Sequence, residues 1–381
     1  MLNYLEANKS KSRQKTIIPI NFSIFVIQFY QIMFEQTDRT EIASLGEFGL
    51  INHLTQHINI KNPSTFKGVG DDAAVLDFQD KKTLISTDLL LEGVHFDLAF
   101  TPLKHLGYKA IQVNLSDIYA MNGTASQVTV SLGFSSKFSL EAIEELYAGM
   151  LLACEKFNVD LVGGDTTSSQ QGLVISVTSI GYADEKDIVY RNGAEEGDLI
   201  CVSGDLGGAY VGLQLLEREK QVFLTNPNIQ PDLEGKDYIV ERQLKPEARI
   251  DIVDLLKKME IKPTSMIDIS DGLASEVLHL TLQSKKGCKL YEEKFPIDPM
   301  TADTAREFGL DPTVCALNGG EDYELLFTIK QTDYDRMKHD VDISIIGYIT
   351  EESAGNYLIT KAGNTHEIKA QGWNAFSSTK S

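Results

Sequence analysis

Basic residues are scarce in this chain. Its 381 residues carry 35 lysines and arginines against 55 aspartates and glutamates, a formal net charge of −20. That balance argues against a nucleic-acid backbone or an anionic membrane as the main partner. It leaves anionic small substrates open, because Mg²⁺ bridges carboxylates to phosphates. Cysteine is nearly absent: Cys154, Cys201, Cys288 and Cys315 are far apart and form no Cys-x-x-Cys pair. This speaks against a zinc site or a disulfide framework and fits a reducing cytoplasm, with four buried thiols as the expected state. The chain also lacks a G-x-x-x-x-G-K-[ST] phosphate loop, a kinase HRD or DFG element and a G-x-S-x-G nucleophile elbow. His53 and His57 stand at i, i+4, but no Glu follows the first, so a solvated helix face is expected there. Tryptophan occurs once, at Trp373.

Long apolar runs are missing except near the start. Lys9, Lys11, Arg13 and Lys15 precede a run from Ile17 to Phe34 that Asn21, Ser23, Gln28 and Gln31 interrupt. It shows no small-residue cleavage site and is too short and polar for a membrane span. The expectation is an initiator assigned too early, with Met33 as the real start and residues 1–45 as an extension outside the enzyme.

The remaining length suits two domains, and an apolar content of 42% fills real cores. Spacing predicts a helix over Glu47–Gln56 and strands at Ala73–Leu76 and Thr83–Thr87. A helix from Pro102 to about Met121 would put Leu106, Ala110, Val113 and Asp117 on one face. A strand at Val128–Phe134 leads to a helix capped by Ser139, with Ile143, Leu146, Tyr147, Met150, Leu151 and Cys154 as its buried stripe. Strands at Asp160–Val162 and Leu173–Ile180 end a first α/β domain over 46–183. The second, over 184–381, should hold a strand at Asp198–Ser203, a run Gly204–Gly208 turning into a helix through about Glu217, and a polar surface excursion over 219–240. A helix opened by Pro246 and strands at Met266–Ile269, Tyr323–Ile329 and Ile343–Ile349 complete it. The pattern is α+β or mixed α/β, not a regular doubly wound sheet.

What the chain has in plenty is aspartate at the ends of apolar runs. Asp71 and Asp72 lie in GVGDDAAVLD, Asp88 in LISTDLLLEGVHF and Asp117 in NLSDIYAMNG. Asp165 lies in LVGGDTTSS, and Asp268 and Asp271 in MIDISDGL. Carboxylates in such places are costly unless they hold cations. Adjacent Asp71 and Asp72 repel unless a cation lies between them. Ser86, Thr87 and Asp88 offer three hard oxygen ligands at a strand end. Gly163 and Gly164 free backbone N–H groups for phosphate oxygens beside Asp165. Taken singly, each motif also reads as a turn or helix cap; together they point to hard metal ions and a polyphosphate substrate. Arg191 is the one arginine between Arg39 and Arg218, and it can reach phosphate oxygens bidentately or form a salt bridge. Glu321, in NGGEDYEL, can accept hydrogen bonds from a substrate amino group. Trp373 can stack on a flat heterocycle or anchor the tail.

In order and approximate spacing, GDDAAVL, STDLLLEGVHF, YKAIQVNLSDIYAMNG, LVGGDTT, IDISDGL and GGEDYEL resemble the thiamine-monophosphate kinase family, in the superfamily of aminoimidazole ribonucleotide synthetase. The resemblance runs from about Gly46 to about Phe376. It implies a two-domain mixed α/β fold: an N-terminal domain that forms a β-barrel shared across a homodimer, and a C-terminal α/β domain that completes the site. The implied reaction is ATP plus thiamine monophosphate giving ADP plus thiamine diphosphate. Asp72, Ser86, Thr87, Asp88, Asp117, Asp165, Asp268 and Asp271 would ligate several Mg²⁺ ions. Gly164, Asp165, Arg191 and Ser270 would contact ATP, and His95, Glu321 and Trp373 would hold thiamine monophosphate. No catalytic base is expected, because the acceptor phosphate is already ionised near neutral pH. Another ATP-dependent enzyme of the superfamily and a non-catalytic nucleotide- or metal-binding protein are the alternatives.

Overall fold

A helix almost entirely buried organises the site, and the elements around it follow from alternation and helical spacing. In the computed structural model the described residues are 65–67, 71–72, 74–78, 80–135, 138–226, 231–338 and 340–372. The expected helix over Glu47–Gln56, the His53/His57 pair, residues 1–45 and Trp373 lie outside them.

The first half contains β1 (Thr65–Lys67), β2 (Ala74–Phe78), β3 (Lys81–Leu91), α1 (Leu103–Ala120), β4 (Thr124–Phe134), α2 (Leu140–Lys156), β5 (Asp160–Ser168) and β6 (Val174–Ala183). Its six-stranded sheet runs β1-β2-β3-β6-β4-β5, antiparallel except for the β4–β5 pair. Along β6, Ile175, Val177 and Ser179 are buried and alternate with partly exposed residues, the two-residue period of a strand covered on one face. Helix α1 lies against that face, with Leu106, Ile111, Leu115 and Ile118 wholly buried. It also packs on α2 at very short range. A Cβ on Gly107 would come within 2.0 Å of the Leu146 carbonyl oxygen, and one on Gly149 within 1.9 Å of that of Lys104. Ser139 caps α2 as expected, its hydroxyl accepting from the Ala142 N–H at 3.3 Å. The α2 stripe differs in part: Leu151 is 53% exposed, Ile143 and Tyr147 are only partly buried, and Leu146, Met150, Ala153 and Cys154 are the buried set.

The second half contains β7 (Leu199–Ser203), α3 (Gly208–Thr225), α4 (Asp237–Leu244), α5 (Ile250–Lys258), β8 (Ser265–Asp268), α6 (Leu273–Ser284), β9 (Lys286–Tyr291), α7 (Pro299–Glu307), α8 (Pro312–Asn318), β10 (Leu325–Ile329), α9 (Tyr334–Met337), β11 (Ile343–Glu351), β12 (Asn356–Ile359) and β13 (Thr365–Glu367). Its sheet order is β13-β12-β9-β11-β7-β10-β8, with β12–β9 the parallel pair. The fold is thus mixed α/β with largely antiparallel sheets.

Three expectations need correction here. The 219–240 stretch is helical at both ends: α3 continues to Thr225 and Ile239 of α4 is fully buried with Val211 and Leu215, while the described residues of 221–226 and 231–238 are exposed or partly exposed as expected. Its many charges hid an amphipathic helix whose apolar positions pack on α3. Pro246 does not open a helix, because α5 begins at Ile250 after Arg249. The strand expected from Tyr323 starts at Leu325, since Tyr323 has a φ of +52°. The four cysteines are buried and unpaired, as composition implied. Among the described residues no helix is long and apolar enough to cross a membrane.

Candidate active site

Strand β3 and helix α1 place the acidic site between them. Pleating turns Ser86 and Asp88 toward α1, where the Ser86 hydroxyl donates to Asp117 Oδ2 and the Asp88 N–H donates to Asn114 Oδ1 at 3.0 Å. Thr87 points to the opposite face, where its hydroxyl donates to the Val177 carbonyl at 2.9 Å. Lys109, Val113 and Asp117 recur every four residues on α1 and form one stripe. Next to it, the Ser116 hydroxyl donates to Asp268 Oδ2 at 2.6 Å, tying α1 to the end of β8. Asp72 arrives from the loop before β2. One carboxylate oxygen each from Asp72, Asp117 and Asp268 lies within 4.8 Å of the others.

Burial and mutual repulsion show in the protonation of this cluster. Desolvation pushes Asp72 up to about 7, against the pull of Arg191, and pushes Asp88 up to about 6. Asp117 is raised well above the usual carboxylate range, first by burial and then by the charges of Asp88, Asp268 and Asp72. Burial raises Asp268 too, while the Ser116 hydroxyl and Arg191 oppose it. Arg191 grips Asp72 through Nε, at 3.1 Å to Oδ2, and through Nη2 to Oδ1. Its side chain is largely buried, so this is an interior pair and not a surface salt bridge.

A cavity of about 130 Å³ opens beside the cluster, lined by Asp88, Asp117, Asp268, Val113, His95, Ser270, Glu321 and Tyr323. The Leu91 N–H donates to His95 Nδ1 at 3.0 Å, so the neutral ring carries its hydrogen on Nε2. Glu321 Oε2 accepts from Lys109 Nζ and from Gln243 Nε2, each at 2.9 Å. The loop that carries it is strained: Gly320, Glu321 and Tyr323 have φ of +73°, +59° and +52°. Non-glycine residues in that region cost of order 1–3 kcal/mol each and cluster at functional sites. The Glu321 N–H bonds the Ser270 carbonyl at 2.6 Å, and the Tyr323 N–H bonds that of Ile269 at 2.9 Å, which holds the loop against the end of β8.

The structure brings together Asp72, Ser86, Asp88, Asp117, Asp268, Ser270, Arg191, His95 and Glu321. It does not bring Thr87, Gly164 or Asp165 to the same place within one chain. Asp165 is exposed on the edge strand β5, with β4 and β6 between it and β3, a span of about 14 Å at ordinary strand spacing. Gly164 has a structural reason of its own, since a Cβ there would lie 1.8 Å from the Val130 carbonyl oxygen. Asp271 precedes the cap of α6, which is Gly272, and its N–H donates to the buried Glu276 at 3.1 Å. Gly372 sits against the Asp271 and Asn318 carbonyls.

Sequence reasoning missed Lys109, Asn114, Ser116, Gln243, Tyr323 and Glu276. Lys109 carried a signal equal to that of Asp117, because it too interrupts the apolar face of α1. The left-handed backbone at Tyr323 carried none.

With the geometry in place, four similarities bear on this chain. The family model for the N-terminal domain of AIR synthase related proteins matches residues 70–183. The thiamine-monophosphate kinase of Aquifex aeolicus is 34% identical over 88% of this chain and 99% of its own length, and that of Bacillus subtilis 32% over 87% and 100%. The solved structure of AaThiL complexed with AMPPCP and TMP is 32% identical, with a TM-score of 0.75 over 89% of this chain and 100% of that one.

Proposed function

The chain belongs to the thiamine-monophosphate kinase family, and from that premise we propose that it phosphorylates thiamine monophosphate to thiamine diphosphate with ATP, by direct in-line transfer. The observation that carries the proposal is the convergence of Asp72, Asp117 and Asp268 beside a cavity that His95, Ser270 and Glu321 also line.

The donor set fits Mg²⁺. It is all hard oxygen, with no thiolate or imidazole in the cluster. Asp72, Asp117 and Asp268, whose carboxylate oxygens lie within 4.8 Å of one another, would hold the ion. Bound there, Mg²⁺ would neutralise the repulsion between two phosphate-bearing substrates. Asp72, Ser86, Asp88, Asp117 and Asp268 hold that charge in one place, with Thr87, Asp165 and Asp271 as further ligands in the family pattern. Arg191, anchored on Asp72, has donors left for the nucleotide phosphates, alongside Ser270 and the backbone at Gly164. His95 offers its Nε2–H as a donor to thiamine monophosphate. Glu321 accepts from the amino group of the substrate's heterocycle, and Trp373 stacks on the ring. No side chain needs to act as base, so positioning and charge neutralisation carry the rate.

In this reading the protein is a cytoplasmic homodimer whose first domain, over 46–183, shares a barrel with a second copy, while 184–381 completes the site. What supports the pairing is the sheet face turned away from α1, where Leu89 is 51% exposed and Tyr182 is exposed as well, together with Val162, 56% exposed on the edge strand β5. A second copy on that face would also give Asp165 and Thr87 a site to serve.

The test is ADP release with Mg²⁺, comparing thiamine monophosphate with thiamine. Only the monophosphate should support turnover, and Asp117→Asn should remove it. Equal turnover of thiamine, or normal rates in Asp117→Asn, would overturn the assignment.

A further inference from the structure

Lys109 is 3% exposed, and the reaction as described gives it no role. A buried ammonium needs partners, and the two it has are informative. It donates to Glu321 Oε2 at 2.9 Å and to the Gln243 carbonyl oxygen at 3.0 Å. Gln243 in turn donates its side-chain amide to the same Glu321 oxygen at 2.9 Å. Two donors from two different helices, α1 and α4, thus saturate one oxygen of Glu321. The other oxygen accepts no hydrogen bond from the described residues, and the residue lines the cavity.

We propose that Lys109 and Gln243 are positioning residues that aim the free oxygen of Glu321 at the substrate and so decide which heterocycle's monophosphate is accepted. This rests on the reading of Glu321 as the acceptor for the substrate's amino group. Neither Lys109 nor Gln243 touches the substrate. An ionised carboxylate with one oxygen saturated presents lone pairs only. It pairs with an N–H of an aminopyrimidine and opposes a ring that carries an oxygen in that position. Lys109 lies on the same stripe of α1 as Asp117, eight residues earlier, so the two are about 12 Å apart along the axis. One rigid helix therefore fixes the distance between the end that reads the heterocycle and the end that gathers charge. The strained backbone at Glu321 gives the clamp something to resist, because relaxing that loop would swing the carboxylate away.

The experiment measures kcat and KM for both substrates in the parent, Lys109→Met, Lys109→Arg and Gln243→Leu. It also compares thiamine monophosphate with its analogue bearing oxygen in place of the ring amino group. In Lys109→Met, KM for thiamine monophosphate should rise roughly 10- to 100-fold, the range set by a hydrogen bond to a charged group. KM for ATP should stay within about twofold, and the preference for the amino over the oxygen compound should shrink by the same factor. Lys109→Arg should recover part of both. Gln243→Leu keeps the Lys109–Glu321 pair and should move the same quantities less; it decides the matter if Lys109→Met does not fold. A parallel rise of both KM values, or a fall in kcat with the preference unchanged, would reduce the clamp to a structural contact and overturn the proposal. If the parent itself fails to turn over thiamine monophosphate, the assignment of function falls first, and the proposal with it.

Discussion

Replacing Asp117 by asparagine should abolish turnover and yet stabilise the protein in chelator. Asp117 shares the cluster with Asp72 and Asp268, one oxygen of each within 4.8 Å. Two unit charges at that distance repel by about 3 kcal/mol at an effective dielectric near 20. Proton uptake relieves part of this, since Asp117 is held well above the usual carboxylate range by burial and by its neighbours. At pH 8.5 Asp72, at about 7, and Asp88, at about 6, are ionised and that relief is smallest. Asparagine keeps the acceptor that the Ser86 hydroxyl uses and turns N–H donors toward the remaining carboxylates. The net gain is at most about one pairwise repulsion, ~3 kcal/mol, and shrinks to the extent that Asp117 holds its proton. The assay is urea unfolding at pH 8.5, once in EDTA and once in MgCl₂. In EDTA the variant should be the more stable protein; in Mg²⁺ the parent should gain stability and the variant far less. A variant less stable than its parent in EDTA, or an equal Mg²⁺ gain in both, would refute the idea that these carboxylates form one repelling cation site.

Three further outcomes follow from the same geometry. Asp72 and Asp88 bind protons more tightly folded than unfolded, so their contribution to stability is complete below about pH 4 and is lost as pH rises through 6 and 7; unfolding free energies in EDTA should show this decline, and Asp88→Asn should flatten it. Gly107→Ala and Gly149→Ala each drive a Cβ to about 2 Å from a carbonyl oxygen across the α1–α2 contact; each should lose about 1–3 kcal/mol or more, and activity with it, because α1 carries Asp117 and Lys109. Glu324, 2% exposed, accepts from Ser203 at 2.6 Å, from Arg242 at 3.0 Å and from Arg249; Glu324→Ala leaves two guanidinium groups without that carboxylate and should cost about 3–5 kcal/mol by chemical denaturation.

How much could be read beforehand varied with the kind of signal. Helix α1 was legible because apolar residues recur at helical spacing along it and Pro102 marks its start, and Asp117 stood out as a charge on that face. Strands β3, β4 and β5 were located but cut short, since their hydroxyl and glycine residues weaken the apolar pattern that marks a strand. The ends of the 219–240 stretch were misread because Glu219 and Lys220 look solvated, whereas Glu219 is buried and accepts from the Asp232 N–H at 2.8 Å. Composition could not show that Thr87 and Ser86 diverge; that follows from the pleat, which turns neighbours to opposite faces. Nor could it show the clamp on Glu321, whose parts lie 78 and 212 positions apart in the chain. Contacts of that range depend on how the two sheets meet around α1.

The most direct measurement follows the γ-phosphoryl group of labelled ATP with Mg²⁺ and thiamine monophosphate present. All transferred label should appear in the terminal phosphate of thiamine diphosphate, with none retained on the protein. Label found in inorganic phosphate alone, or on the protein ahead of product, would contradict direct transfer between two anions gathered by the aspartate cluster.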